Sequence, residues 1–142
     1  MGRSRGGLTS KLHAVVDGTG RPVALRLTAG QVHDSKAALG LMERLRPGQI
    51  FMADKAYDAD AILGRCAALG VQANIPPKSC RKHPQPFDRT LYRRRNVVER
   101  FFNRIKQYRG LATRYDKHAD SFMGGITLAA IRIAIRCNES TA

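Results

Sequence analysis

A chain of 142 residues, 43% of them hydrophobic, is long enough to bury one real core and short for two domains, so a single packed globule is expected. Its 25 Lys and Arg against 11 Asp and Glu give a net charge of +14, scattered through the predicted elements rather than held in a tail, so the folded surface itself should be basic and suit a polyanion. Cys66, Cys80 and Cys137 are odd in number and lack metal-ligand spacing, no apolar leader follows Met1, and the most apolar stretch, 122–135, is interrupted by Arg132; these argue against a disulfide framework, a zinc site, a signal peptide and a membrane span, and for a cytoplasmic protein.

In chain order, residues 8–16 and 22–28 read as two strands of a hairpin joined by Asp17-Gly18-Thr19-Gly20, with Val23, Leu25 and Leu27 alternating onto one face. The turn is expected at Asp17-Gly18, both residue types that tolerate positive φ. Asp34 or Ser35 caps a helix in which Ala37, Ala38, Leu41, Met42 and Leu45 recur at helical spacing, closed by Pro47-Gly48. Residues 49–53 form a short apolar strand ending at Asp54. Asp58 or Asp60 opens a second helix carrying Ile62, Leu63, Cys66 and Leu69, which stops at Gly70. Residues 71–75 are a further strand, halted by Pro76-Pro77, and 78–89, basic and rich in Pro and His, read as a surface loop. A helix over 91–108 and a mostly apolar helix from about 121 to 136 complete the chain. There is no internal repeat.

The helix over 91–108 carries the chemistry. At about 100° per residue, Tyr92, Arg95, Glu99 and Lys106 fall within an arc of roughly 60°, so a phenol, two cations and a carboxylate project from one face. Such a stripe suits a phosphodiester. Val97, Val98, Phe101, Phe102 and Ile105 form an adjacent apolar arc, which puts Glu99 at the rim of a buried face, where a metal ligand would be held rigidly. Taken alone, Arg95 and Glu99 are equally an ordinary i,i+4 surface pair. Asp54 at a strand's carboxyl end is placed to hold a divalent cation, or is simply a turn or cap residue. Charge alone also leaves an RNA-associated protein open.

The order Tyr92-x2-Arg95-x3-Glu99-x6-Lys106 resembles the glutamate signature of DDE-type insertion-sequence transposases, in the group called insertion sequence four and five, and every spacing fits. The run Ala53-Asp54-Lys55-Ala56-Tyr57-Asp58 resembles the second-aspartate motif of the same family. The runs 2–11, 28–34 and 112–117 are similar to it as well, so the resemblance covers nearly the whole chain.

The resemblance implies an α/β fold: an RNase H-like, retroviral-integrase-like catalytic core with a C-terminal helical segment. That core has three antiparallel strands before its first helix, and only two are read here. The first strand, with the first catalytic aspartate, is therefore expected upstream of Met1, making 1–142 a single truncated DDE catalytic domain; Asp17, in a turn, is not expected to replace that aspartate. The resemblance further implies Mg²⁺- or Mn²⁺-dependent strand cleavage and transfer on double-stranded DNA, at transposon ends and target, by a nucleoid-associated homo-oligomer. Asp54 and Glu99 would converge as catalytic metal ligands. Arg95 and Lys106 would bind phosphates, and Tyr92 would bind a phosphate, stack on a base or pack. His33 either approaches the site or is exposed beside a capping Asp34; Arg3, Arg5 and Lys11 track a DNA backbone or belong to a frayed terminus; Arg114 and Lys117 touch DNA or position the last helix. The alternative is an inactive DNA-binding fragment that occupies transposon ends and inhibits the intact enzyme.

Overall fold

The computed structural model describes residues 2–4, 7–108 and 119–141, and their side chains over 10–108 and 122–140. Arg5 and the 112–117 run lie outside the described residues, as does the side chain of Arg3. In chain order the elements are β1 (Gly2–Ser4), β2 (Gly7–Val16), β3 (Pro22–Ala29), α1 (Asp34–Leu41), β4 (Ile50–Met52), α2 (Asp60–Leu69), β5 (Gln72–Asn74), α3 (Arg89–Tyr92), α4 (Asn96–Lys106) and α5 (Ala119–Thr141). Single 3₁₀ turns lie at Met42–Arg44, Lys55–Tyr57 and Arg93–Arg95. The described residues fall into two compact units, one made of those within 1–31 and 96–142, the other of Val32–Arg95.

The first unit is an antiparallel sheet, order β1-β2-β3, with α4 and α5 packed on it. The short β1, with Ser4 opposite Gly7, was not expected from the sequence, where glycine and arginine hide any strand pattern. The hairpin of β2 and β3 runs in register from Ser10↔Ala29 to Val16↔Pro22. Its turn differs from expectation. The positive φ falls at Gly20 (+90°), not at Gly18, because Asp17 organises the turn with its carboxylate. Oδ1 accepts from the N–H and hydroxyl of Thr19 (2.9 and 2.6 Å) and from the N–H of Arg21 (3.0 Å), while Oδ2 accepts from Arg21 Nε (3.0 Å). Burial raises the Asp17 pKa, but these bonds outweigh it and hold the carboxyl below its usual range. Arg21 Nη1 then donates to Asn138 Oδ1 on α5 (2.9 Å), tying the turn to the helix.

Alternation along β2 turns Leu12, Ala14 and Val16 toward a core of Phe101 and Ile105 from α4 with Ala129, Ala130, Ile133 and Cys137 from α5. Leu25 joins it, whereas Val23 remains 43% exposed. The last helix runs beyond the expected 136 because 137–141 contain no Gly or Pro to stop it, and Cys137 is buried in its extra turn.

In the second unit β4 and β5 pair in parallel, Ile50↔Gln72 to Met52↔Asn74, connected through α2. α2 ends at Gly70, whose φ of +68° is the left-handed cap expected from sequence. Met42, Ala53, Ile62, Cys66, Val71 and Ile75 form the core. Two cap expectations change. α1 is capped by His33, whose Nδ1 accepts from Ser35 N–H (3.3 Å), with Asp34 inside the first turn. Ala59 precedes α2 without a side-chain cap, because Asp58 is turned inward instead.

Candidate functional site

The β4 strand delivers Asp54. Phe51 and Ala73 are partly buried beside the core and Ala53 is buried in it, which fixes the strand's carboxyl end; Asp54, the next residue out, is 44% exposed. Its Oδ1 accepts from Ala56 N–H (2.9 Å) and caps the 3₁₀ turn Lys55–Tyr57. Its Oδ2 lies 3.5 Å from Arg95 Nη2. The cap and ligand readings of Asp54 are therefore compatible: capping uses one oxygen, and the other faces a guanidinium.

Arg95 is positioned by a chain of contacts reaching back to β5. Asn74, 2% exposed, accepts from Asp88 N–H (2.8 Å) and donates to Asp88 C=O (3.1 Å). Asp88 in turn caps α3 through Leu91 N–H (3.0 Å). One turn on, Phe87 meets the Tyr92 ring edge-on at 5.1 Å, and the Arg95 guanidinium lies 5.8 Å from the centre of that ring. Tyr92 thus packs and stacks under Arg95.

Tyr57, half-buried at the end of the turn, feels Asp54, Arg95 and Asp34 of the neighbouring α1. Burial, then the two carboxylates, push its phenol up to about 12 against the opposing pull of Arg95, so it keeps its proton at neutral pH. The loop after β5 is anchored separately. The buried Asp58 accepts from Lys78 N–H (2.7 Å) and pairs with Arg81 Nε (2.8 Å), and Arg81 Nη1 reaches Asp60 (2.8 Å).

The long helix expected over 91–108 is not continuous. α3 and α4 are separated by the 3₁₀ turn Arg93–Arg95, where three adjacent like charges and the weak helix former Asn96 disfavour an α-turn. The single-face reading assumes one uninterrupted α-helical period over 91–108, and the 3₁₀ turn interrupts that period. Tyr92 and Arg95 belong to the Val32–Arg95 unit with Asp54, whereas Glu99 and Lys106 belong to the other. Both are exposed on α4, so Glu99 is not shielded at the rim of a buried face as expected. Among the described residues, no three His, Cys, Asp or Glu side chains gather as a metal site.

Sequence reasoning passed over Tyr57, Asn74 and Asp88. Tyr57 stood inside a quoted motif and had a signal; Asn74 and Asp88 had none beyond being polar residues beside a strand and a helix start.

Fold and site together define a mixed α/β protein with a strand-end carboxylate beside a stacked guanidinium, on a strongly basic chain. A family described as transposase DDE domain matches residues 2–133. A Brucella ovis protein bearing the name "Putative transposase for insertion sequence element IS6501" is 38% identical over 130 residues, 91% of this chain and 100% of that protein. The chain belongs to the DDE-type insertion-sequence transposase family.

Proposed function

We propose that this chain provides the catalytic core of an insertion-sequence transposase, RNase H-like in fold, which cleaves and transfers strands at transposon ends of duplex DNA as a homo-oligomer. The observation that carries the reading is Asp54 at the carboxyl end of β4 with Arg95 beside it, in a chain of this family. Asp54 and Glu99 are the proposed donors for Mg²⁺ or Mn²⁺, since hard carboxylate oxygens suit these ions. The donor type fits, but two carboxylates do not complete a two-metal site. Asp17 is not proposed as the third, since its oxygens accept four hydrogen bonds within its own turn.

When bound, such ions activate a water or 3′-hydroxyl and offset the charge of the leaving oxygen. The chain's own side chains do the rest. Arg95, held over Tyr92 by the Asn74–Asp88 staple, presents a planar fork to a phosphate, and Lys106 binds another as a point charge. Tyr57 keeps a phenolic proton beside Asp54 and can donate it in a hydrogen bond.

The test is a metal-dependent nicking assay on insertion-sequence-end DNA, with this chain alone and fused to a segment that supplies a further aspartate-bearing strand. In the active form, Asp54→Asn and Glu99→Gln should each slow nicking at least about a hundredfold while leaving most DNA binding, and Asp17→Asn should leave nicking near its unaltered rate. Nicking that survives Asp54→Asn would overturn the reading. Tight binding of ends without nicking in either form would instead identify a DNA-occupying inhibitor.

A further inference from the structure

On the first unit, apart from the residues assigned to catalysis, the end of α4, the β2–β3 turn and the C-terminal half of α5 enclose an open cleft of about 680 Å³. Arg104, Arg132 and Arg136 line it. All three are exposed, and none makes an ion pair among the described residues. Arg132 and Arg136 are four apart and so share a face of α5, about 6 Å apart along its axis; Arg104 faces them from α4. Three guanidiniums lining one hollow with no carboxylate partner among the described residues repel one another, an arrangement that stability alone does not favour and an anion would relieve.

The cleft is also built rather than incidental. Arg104 Nη1 lies 3.5 Å from the buried Cys137 Sγ, which orients its guanidinium across the opening. The turn that forms one wall is tied to α5 through Arg21 and Asn138, and its acidic residue, Asp17, is paired with Arg21. The rim hydroxyls point their protons inward, Thr19 to Asp17 and Ser140 to the Arg136 carbonyl. The charged donors left for a ligand are guanidinium N–H groups, which suit phosphate oxygens. Their spread over two helices matches successive phosphates along a backbone better than one small anion.

We infer that this cleft is a second duplex-DNA contact, in which Arg104, Arg132 and Arg136 hold backbone phosphates without reading sequence. The inference rests on DNA being the substrate, as proposed above, but not on the catalytic assignments.

Its test uses the full chain with a chelator present and a labelled duplex of arbitrary sequence, measuring affinity over a series of salt concentrations. The triple variant Arg104→Gln, Arg132→Gln, Arg136→Gln should lower the salt slope by about three and weaken binding by about tenfold or more at moderate salt, equally for unrelated sequences. The triple Arg→Lys variant should restore the slope. Because the Gln variant can fail to fold, the unaltered chain is also treated with an arginine-selective dicarbonyl reagent, with and without DNA, and mapped by mass spectrometry. DNA should protect these three arginines. An unchanged salt slope, equal modification with and without DNA, or protection by duplex RNA but not DNA would overturn the inference. An absence of nicking in the catalytic assay would leave these readouts untouched, so the two failures are distinguishable.

Discussion

Asp54 and Asp58 stand four residues apart and have opposite environments. Asp54 is 44% exposed beside Arg95, whereas Asp58 is 4% exposed and accepts from Lys78 N–H and Arg81. Burial raises the Asp58 pKa, but the Arg81 and Lys78 hydrogen bonds and charges more than reverse this and hold it below the usual carboxylate range. A carboxyl with a depressed folded pKa stabilises the native state above its unfolded pKa, near 3.8. That contribution is lost as pH falls through the lower folded value. Urea unfolding from neutral pH downward should therefore show stability dropping below about pH 4, and Asp58→Asn should flatten that limb. At neutral pH the same substitution should cost about 2 kcal/mol, less than a fully enclosed pair because Arg81 keeps an edge in water. Tyr57 gives the alkaline counterpart: ultraviolet titration should find one tyrosine ionising near 12, and Tyr57→Phe should remove that step.

At the scale of elements, the decisive feature is the junction of α3 and α4. α3 has only four residues and relies on its Asp88 cap and on Asn74 behind it. Asp88→Ala should cost about 1 kcal/mol, measured by chemical denaturation. Asn74→Ala should cost more, about 2 kcal/mol, since it removes both partners of a backbone segment held by a side chain that is 2% exposed. Both should weaken the effect of Arg95→Gln on DNA affinity, because the guanidinium is then less well placed to begin with. In hydrogen exchange, amides of the 3₁₀ turn at 93–95 should exchange faster than those around the buried Phe101 and Ile105 in α4.

For the whole chain, two features dominate: each unit has its own hydrophobic cluster, and the net charge is +14. A basic folded surface should give DNA binding that weakens steeply with salt, and Lys106→Ala should lower the slope by about one with little sequence dependence. Anisotropy titrations on two unrelated duplexes at several salt concentrations check this; affinity indifferent to ionic strength would show that the charge is not a DNA-binding surface.

Elements governed by local rules were legible in the sequence. The hairpin around Asp17, the αL stop at Gly70 and the strand end at Asp54 each arise from a few adjacent residues, and the spacing of Asp54, Tyr92, Arg95, Glu99 and Lys106 was enough to recognise the family. What the tertiary structure decided depends on partners distant in sequence. Arg95 meets Asp54, Asn74 holds Asp88, and Arg104 reaches Cys137 across gaps that no periodicity encodes. The break at 93–95 is local in cause, yet a period averaged over the stretch hides it. A helical period read over 91–108 assumes that each turn repeats the last, but three adjacent like charges tighten the turn at 93–95. Period and composition are sums over neighbours; a site is made by the few long-range contacts that set where those neighbours point.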